Sequence, residues 1–229
     1  MLTELAIILD RSGSMSSVAK DVEGGFDKFI ADQHATPNGE CKVSLTQFDS
    51  LEVTTLYSGK PLADVPKLVL EPRGNTPLLD AVGKTVSALK ERIEREAVPA
   101  DGRRVLVLII TDGQENASRE YTKAQIKTLV EGQRAAGWDF MYLGANVDAF
   151  AEAGSMGIAL SSSSPYAATP TGIAHSFSAV SSRMASYRAG GSADWTDAER
   201  AQIEQEAKGK KRPHAPVSTP VVPTDKINP

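Results

Sequence analysis

The chemistry-bearing residues of this chain cluster where apolar runs stop. Leu5–Leu9 gives way to Asp10-Arg11-Ser12-Gly13-Ser14, one acid followed by two hydroxyls at alternate positions. A second apolar run, Val105–Ile110, gives way to Thr111-Asp112. If both runs are strands of an open α/β sheet, these acids stand at the carboxyl ends, where such sheets bind ligands. On neighbouring strands the two carboxylates would face each other, which is unfavourable unless one is protonated or a cation lies between them. Ser12 and Ser14 supply neutral oxygens beside the acids. A third hydroxyl comes from Thr76 in Gly74-Asn75-Thr76-Pro77, with Gly74 allowing the turn and Pro77 suited to a first helical position. Oxygen-only ligation points to a hard cation, Mg²⁺ first, with Mn²⁺ or Ca²⁺ as the other candidates. Each piece also has a plain structural reading: Thr76, Ser14 or Ser16 as helix caps, and Asp112-Gly113 as an ordinary turn.

The elements that must position these residues follow from periodicity. Leu5–Leu9 and Arg104–Ile110 are continuous aliphatic runs, as a parallel strand covered on both faces requires. The alternating stretches 42–49 and 52–59, joined by a short turn, predict a hairpin at one side of the sheet. Trp138–Ala145 predicts a further strand and Gly157–Leu160 a short last one. Between them lie helical stripes: Val18, Val22, Phe26, Phe29 and Ile30; Leu78, Leu79, Val82, Val86 and Leu89; and a third from Thr122, with Thr122 and Gln125 as a capping box and Gly137 as the stop. Gly24-Gly25 interrupts the first stripe at a cost of about 1 kcal/mol per glycine, which close packing would justify. A fourth helix is expected over Pro170–Arg188. The alternation predicts a Rossmann-like, doubly wound α/β fold: a mostly parallel sheet with one antiparallel edge strand and helices on both faces.

The 229 residues suit one such domain with an extension. The composition shifts near residue 190, so residues 1–189 read as the domain and 190–229 as the extension. Thr196 and Glu199 repeat the capping-box pattern, giving a short helix over about 196–207, before a proline-rich tail read as disordered. A net charge of -4 offers no broad basic field for nucleic acid. The one compact basic cluster, Lys208–His214, leaves a nucleic-acid-associated scaffold as a minor alternative. Cys41 is the sole cysteine, so no intrachain disulfide forms. No export signal or membrane-length apolar run is read, and the expected setting is cytoplasmic.

Enzyme readings fare worse. His34, His175 and His214 are scattered without ligand spacing, and no phosphate-binding glycine loop follows the first strand. A Mg²⁺-dependent aspartyl phosphotransferase also places an acid at the end of its first strand, but resembles D-x-D, and here Ser12 stands where the proton-handling acid is needed.

In order along the chain, Ile8–Met15 (ILDRSGSM), Gly74–Val82 (GNTPLLDAV) and Ile109–Asn116 (IITDGQEN) resemble the three motifs of the von Willebrand factor type A domain. The resemblance runs from about Leu2 to Arg188 and is strongest to compact, stand-alone bacterial and phage members. It implies a metal-ion-dependent adhesion site with Ser12, Ser14 and Thr76 as hydroxyl ligands and Asp10 and Asp112 binding directly or through water. It further implies a non-enzymatic module in which the ion accepts an Asp or Glu carboxylate from a protein partner. AAA-type ATPases and assembly complexes are among the partners of related domains. Arg11 and Arg73, inside or beside the ligating loops, are placed to frame the incoming carboxylate, with exposed surface residues as the equal alternative. Asp49 is expected behind the ligands as a hydrogen-bond acceptor; Asn146 is a candidate for the same place, with capping of the following helix as its favoured role.

Overall fold

The computed structural model describes residues 1–36, 39–96 and 102–205. Six strands form one sheet: β1 (Leu2–Asp10), β2 (Glu40–Phe48), β3 (Val53–Pro61), β4 (Arg103–Thr111), β5 (Trp138–Gly144) and β6 (Ser163–Pro165). Their spatial order is β3-β2-β1-β4-β5-β6. All neighbours run parallel except β2 and β3, which form the expected hairpin at the edge. The helices are α1 (Ala19–Ala35), α2 (Leu78–Arg95), α3 (Lys123–Ala135), α4 (Ala149–Ser155), α5 (Pro170–Arg188) and α6 (Asp197–Glu204). The architecture is the doubly wound, mostly parallel α/β sheet that the sequence predicts.

The continuous aliphatic runs are explained by two cores. Leu5, Ile7, Leu9, Leu106, Leu108 and Ile110 pack with α1 and α5 on one face. Ala6, Ile8, Val105, Val107 and Ile109 pack with α2, α3 and α4 on the other. Successive residues of a strand point to opposite faces, so both parities must be apolar.

The strand order reverses direction between β1 and β4, which makes their carboxyl ends the switch point of the sheet. Their register sets Leu9 beside Ile110, so Asp10 and Asp112 leave the sheet side by side.

One expectation changes. The last strand is Ser163–Pro165 rather than 157–160, where Ile158 instead plugs the core at 3% exposure. The serine-rich stretch gave no apolar signal, yet Ser163 and Ser164 are fully buried because β5 covers them. In the C-terminal extension, α6 spans Asp197–Glu204, and Trp195 and Ile203 join the α1/α5 core. The basic cluster and proline-rich tail lie outside the described residues.

Candidate metal centre

Three loops meet at the switch point. The loop after β1 carries Ser12 and Ser14, the loop before α2 carries Thr76, and the loop after β4 carries Asp112. Backbone hydrogen bonds hold the loops in register: Gly13 N donates to Gly74 O at 3.0 Å, Arg73 N to Arg11 O at 2.9 Å, and Asn116 N to Thr76 O at 3.1 Å. Gly74 adopts the left-handed φ of 65° that presents its carbonyl to Gly13.

Side-chain oxygens converge inside this frame. Ser12 Oγ and Ser14 Oγ are 3.0 Å apart, and Ser14 Oγ donates to Asp112 Oδ1 at 2.5 Å. Asp10 Oδ1 accepts from Ser12 N at 2.7 Å and its Oδ2 from Thr111 Oγ1 at 2.6 Å. A methyl built on Gly113 would lie 2.9 Å from Thr76 Oγ1 and 3.7 Å from Ser14 Oγ. The absence of a side chain at Gly113 therefore keeps a small space open between hydroxyls of two loops. Asp10, Ser12, Thr76 and Asp112 are all at most 3% exposed.

The capping alternatives fail on geometry. Neither the short 3-10 turn at Gly13–Ser17 nor α1 takes a side-chain cap, and Ser16 Oγ donates to the Gly13 carbonyl. The amino end of α2 is satisfied by another loop: Glu115 Oε2 accepts from Leu79 N at 2.9 Å and Ser118 Oγ from Asp80 N at 3.1 Å. Thr76 caps nothing, because α2 has no cap from its own chain neighbours. Its amide instead donates to Asn116 Oδ1 at 2.9 Å, fixing the loop.

Several solved structures share this fold. Proximal thread matrix protein 1 from the mussel byssus, with a zinc-occupied MIDAS motif, superposes with a TM-score of 0.59 at 15% identity, over 80% of this chain and 46% of that one. The D319A mutant of the PilB minor pilin from Streptococcus sanguinis gives 0.56 at 12% identity, over 81% and 62%. A von Willebrand factor type A structure from Catenulispora acidiphila gives 0.52 at 13% identity, over 79% and 42%. The fold is that of a von Willebrand factor type A domain. No protein-family model matches the sequence, and no curated protein matches it. The chain spans less than two thirds of the length of each of these three structures.

The donor set of the three loops fits a divalent cation. Burial outweighs the hydrogen bonds from Thr111 and Ser12 and raises the Asp10 carboxyl above its usual range. Burial also raises Asp112, to about 6; the Ser14 hydrogen bond opposes the rise and the Asp10 charge adds to it. Two buried acids that disfavour each other's charge, with hydroxyl oxygens beside them, are the environment a cation relieves. Among the described residues no cluster of three or more His, Cys, Asp and Glu is placed to hold a metal, so any site here depends on the hydroxyls.

Arg11 and Arg73 are not brought to the site as free charges. Arg11, 8% exposed, sets Nε 2.8 Å from Asp49 Oδ2 and a terminal nitrogen 2.9 Å from Glu52 Oε1. Arg73 Nε lies 2.9 Å from the same Asp49 oxygen, and Arg73 also pairs with Glu52. Burial would raise the Asp49 carboxyl, but Arg73, the Leu51 and Glu52 amides and Arg11 together bring it below its usual range. Asp49 thus anchors the arginines that flank the loops after β1 and before α2. Asn146 stands in the left-handed region at φ 57° and donates to the Asp112 carbonyl at 3.2 Å. It does not cap α4; Asp148 does, accepting from Ala151 N at 3.0 Å.

Sequence reasoning passed over Thr111, Glu115 and Asn116. Thr111 was legible as the residue that parallel register brings to Asp10. Glu115 and Asn116 sit within the third motif, but their work is tertiary and has no local signature. Tyr142 and Tyr166 were also unforeseen: both hydroxyls are buried without a hydrogen-bond partner among the described residues. Burial, with the charges of Asp112 and Asp10, pushes the Tyr166 phenol well up.

Proposed function

We propose that this A domain is a non-enzymatic binding module in which Asp10, Ser12, Ser14, Thr76 and Asp112 hold a divalent cation, Mg²⁺ by preference, for recognition of a protein partner's Asp or Glu. A hard divalent ion supplies an oxygen-seeking position that a carboxylate can fill. The chain's own residues do the rest. Ser12, Ser14 and Thr76 are neutral donors, so they leave more of the ion's charge uncompensated than acids would. Thr111 and the Ser12 amide orient Asp10, Asn146 steadies the Asp112 backbone, and the Asp49–Arg73–Arg11 cluster braces the loop entrances.

The observation that carries this reading is the convergence of three loop hydroxyls and two buried acids with no helix end claiming them. Zinc in the MIDAS motif of the mussel byssus protein supports a divalent ion in such a fold. A cytoplasmic setting and an assembly machine of the AAA-ATPase kind as partner belong to the same proposal. They rest on the single free Cys41 and on the family resemblance.

The test is a column of immobilised full chain. Partner protein should be retained in Mg²⁺, released by EDTA, and not retained by Ser12→Ala. Retention that persists unchanged in excess EDTA overturns the reading.

A further inference from the structure

Beside Ser14 and Asp112, the loops after β5 and β6 enclose a cleft of about 820 Å³. Val147, Pro165, Tyr166 and Ala167 give it an apolar wall. Among the described residues its only charged lining residues are Asp112 and Asp148, and no Lys or Arg lines it. Asp112 belongs to the metal centre. Asp148 is exposed; one oxygen caps α4, and among the described residues its carboxylate makes no ion pair.

The cleft and the metal centre are a short step apart. Asn146 bonds the Asp112 carbonyl at 3.2 Å, and Asp148 is two residues further on, at most about 7 Å of chain. An apolar wall ending at an unpaired acid suits a side chain with an aliphatic stem and a cationic head. A second acid there would meet repulsion from Asp148, and an uncharged side chain would leave Asp148 without a counter-charge.

We infer that the cleft reads an Arg or Lys lying within about three residues of the partner's metal-bound acid. The partner segment then carries one acid for the ion and one base for Asp148. This rests on the metal-dependent reading above, and the two fail differently.

Short peptides with Asp and, two residues on, Arg, Gln or Glu, together with an Asn-for-Asp control, are titrated into the full chain in Mg²⁺ and in EDTA. The Arg peptide should bind about fivefold tighter than the Gln peptide, the size of an exposed ion pair, and the Glu peptide more weakly still. Asp148→Asn keeps the helix cap, since Asn caps as well as Asp, and should equalise the Arg and Gln peptides. Equal Mg²⁺-dependent affinities for all three Asp peptides, or a preference for Arg that survives Asp148→Asn, overturn the inference and leave the metal reading standing. If no Asp peptide binds better in Mg²⁺ than the Asn control, the metal reading falls and the inference with it.

Discussion

Thr76 shows how a single hydroxyl separates a ligand from a cap. Its position before α2 invites a capping role, yet the helix is capped by Glu115 and Ser118. Thr76→Val replaces the hydroxyl with a methyl of similar size. For a capping residue that loss costs about 1 kcal/mol. Here no helix amide bonds the hydroxyl, so the metal-free chain should lose less than that. The stabilisation added by saturating Mg²⁺, about 2.7 kcal/mol at a hundredfold excess over Kd, should disappear. Thermal melts of both chains with and without Mg²⁺ decide it: a drop in the metal-free melt with the Mg²⁺ shift intact would return Thr76 to capping. Cys41 makes a second residue-scale case. Burial pushes its thiol up to about 11, and it is 4% exposed. At pH 8 only about one thiol in a thousand is then ionised, so alkylation of the native chain should be far slower than of the urea-unfolded chain. Equal rates in the two states would contradict this.

At the scale of elements, the glycine pair in α1 resolves into two different residues. A methyl on Gly25 would lie 2.4 Å from Phe177 Cδ2, so Gly25 is where α1 makes room for the Phe177 ring of α5. A methyl on Gly24 would meet nothing within 4 Å. Gly24→Ala should therefore stabilise the chain by up to about 1 kcal/mol through helix propensity. Gly25→Ala should destabilise it by about 1–3 kcal/mol through overpacking. Chemical denaturation of the two variants should give midpoints displaced in opposite directions, and a shared direction would refute the assignment. Close packing was legible from the pair, but its partner was not, because Phe177 is 152 residues away in sequence. The same limit runs through the fold. The bounds of α5 and the capping boxes of α3 and α6 rest on local periodicity and residue chemistry, and the structure has them where the sequence places them. The last strand was missed because Ser163–Pro165 owes its pairing to β5 rather than to any pattern of its own. At the candidate metal centre the hydroxyls, the acids and the loops that carry them could be read ahead; the Glu115 and Asn116 contacts, and the diversion of Arg11 to Asp49, could not.

For the whole molecule, the composition shift near residue 190 is misleading about packing. Polar, charged sequence surrounds α6, yet Ile203 is fully buried and Trp195 is 6% exposed, both in the α1/α5 core. Arg183 of α5 is also buried and pairs with Glu199 of α6, so losing the helix would strand a buried charge. The extension reaches towards the site as well. Trp195 N donates to Ser161 O at 3.0 Å, and Ser161 Oγ to Asp194 at 2.7 Å, just ahead of β6 and the Pro165–Thr169 wall of the cleft. If α6 is part of the scaffold, Ile203→Ala should cost about 2–5 kcal/mol, as cavity-forming substitutions do. For a chain of this size that is a fall in Tm of roughly 5–15 °C. Mg²⁺ affinity measured well below the melting transition should stay within about twofold, because α6 contributes no ligand and distant sites are close to independent. A helix that merely rested on the surface for a partner to lift would instead leave Tm unchanged in Ile203→Ala. Paired calorimetric melts and Mg²⁺ titrations of that one variant therefore separate a scaffold element from a detachable one.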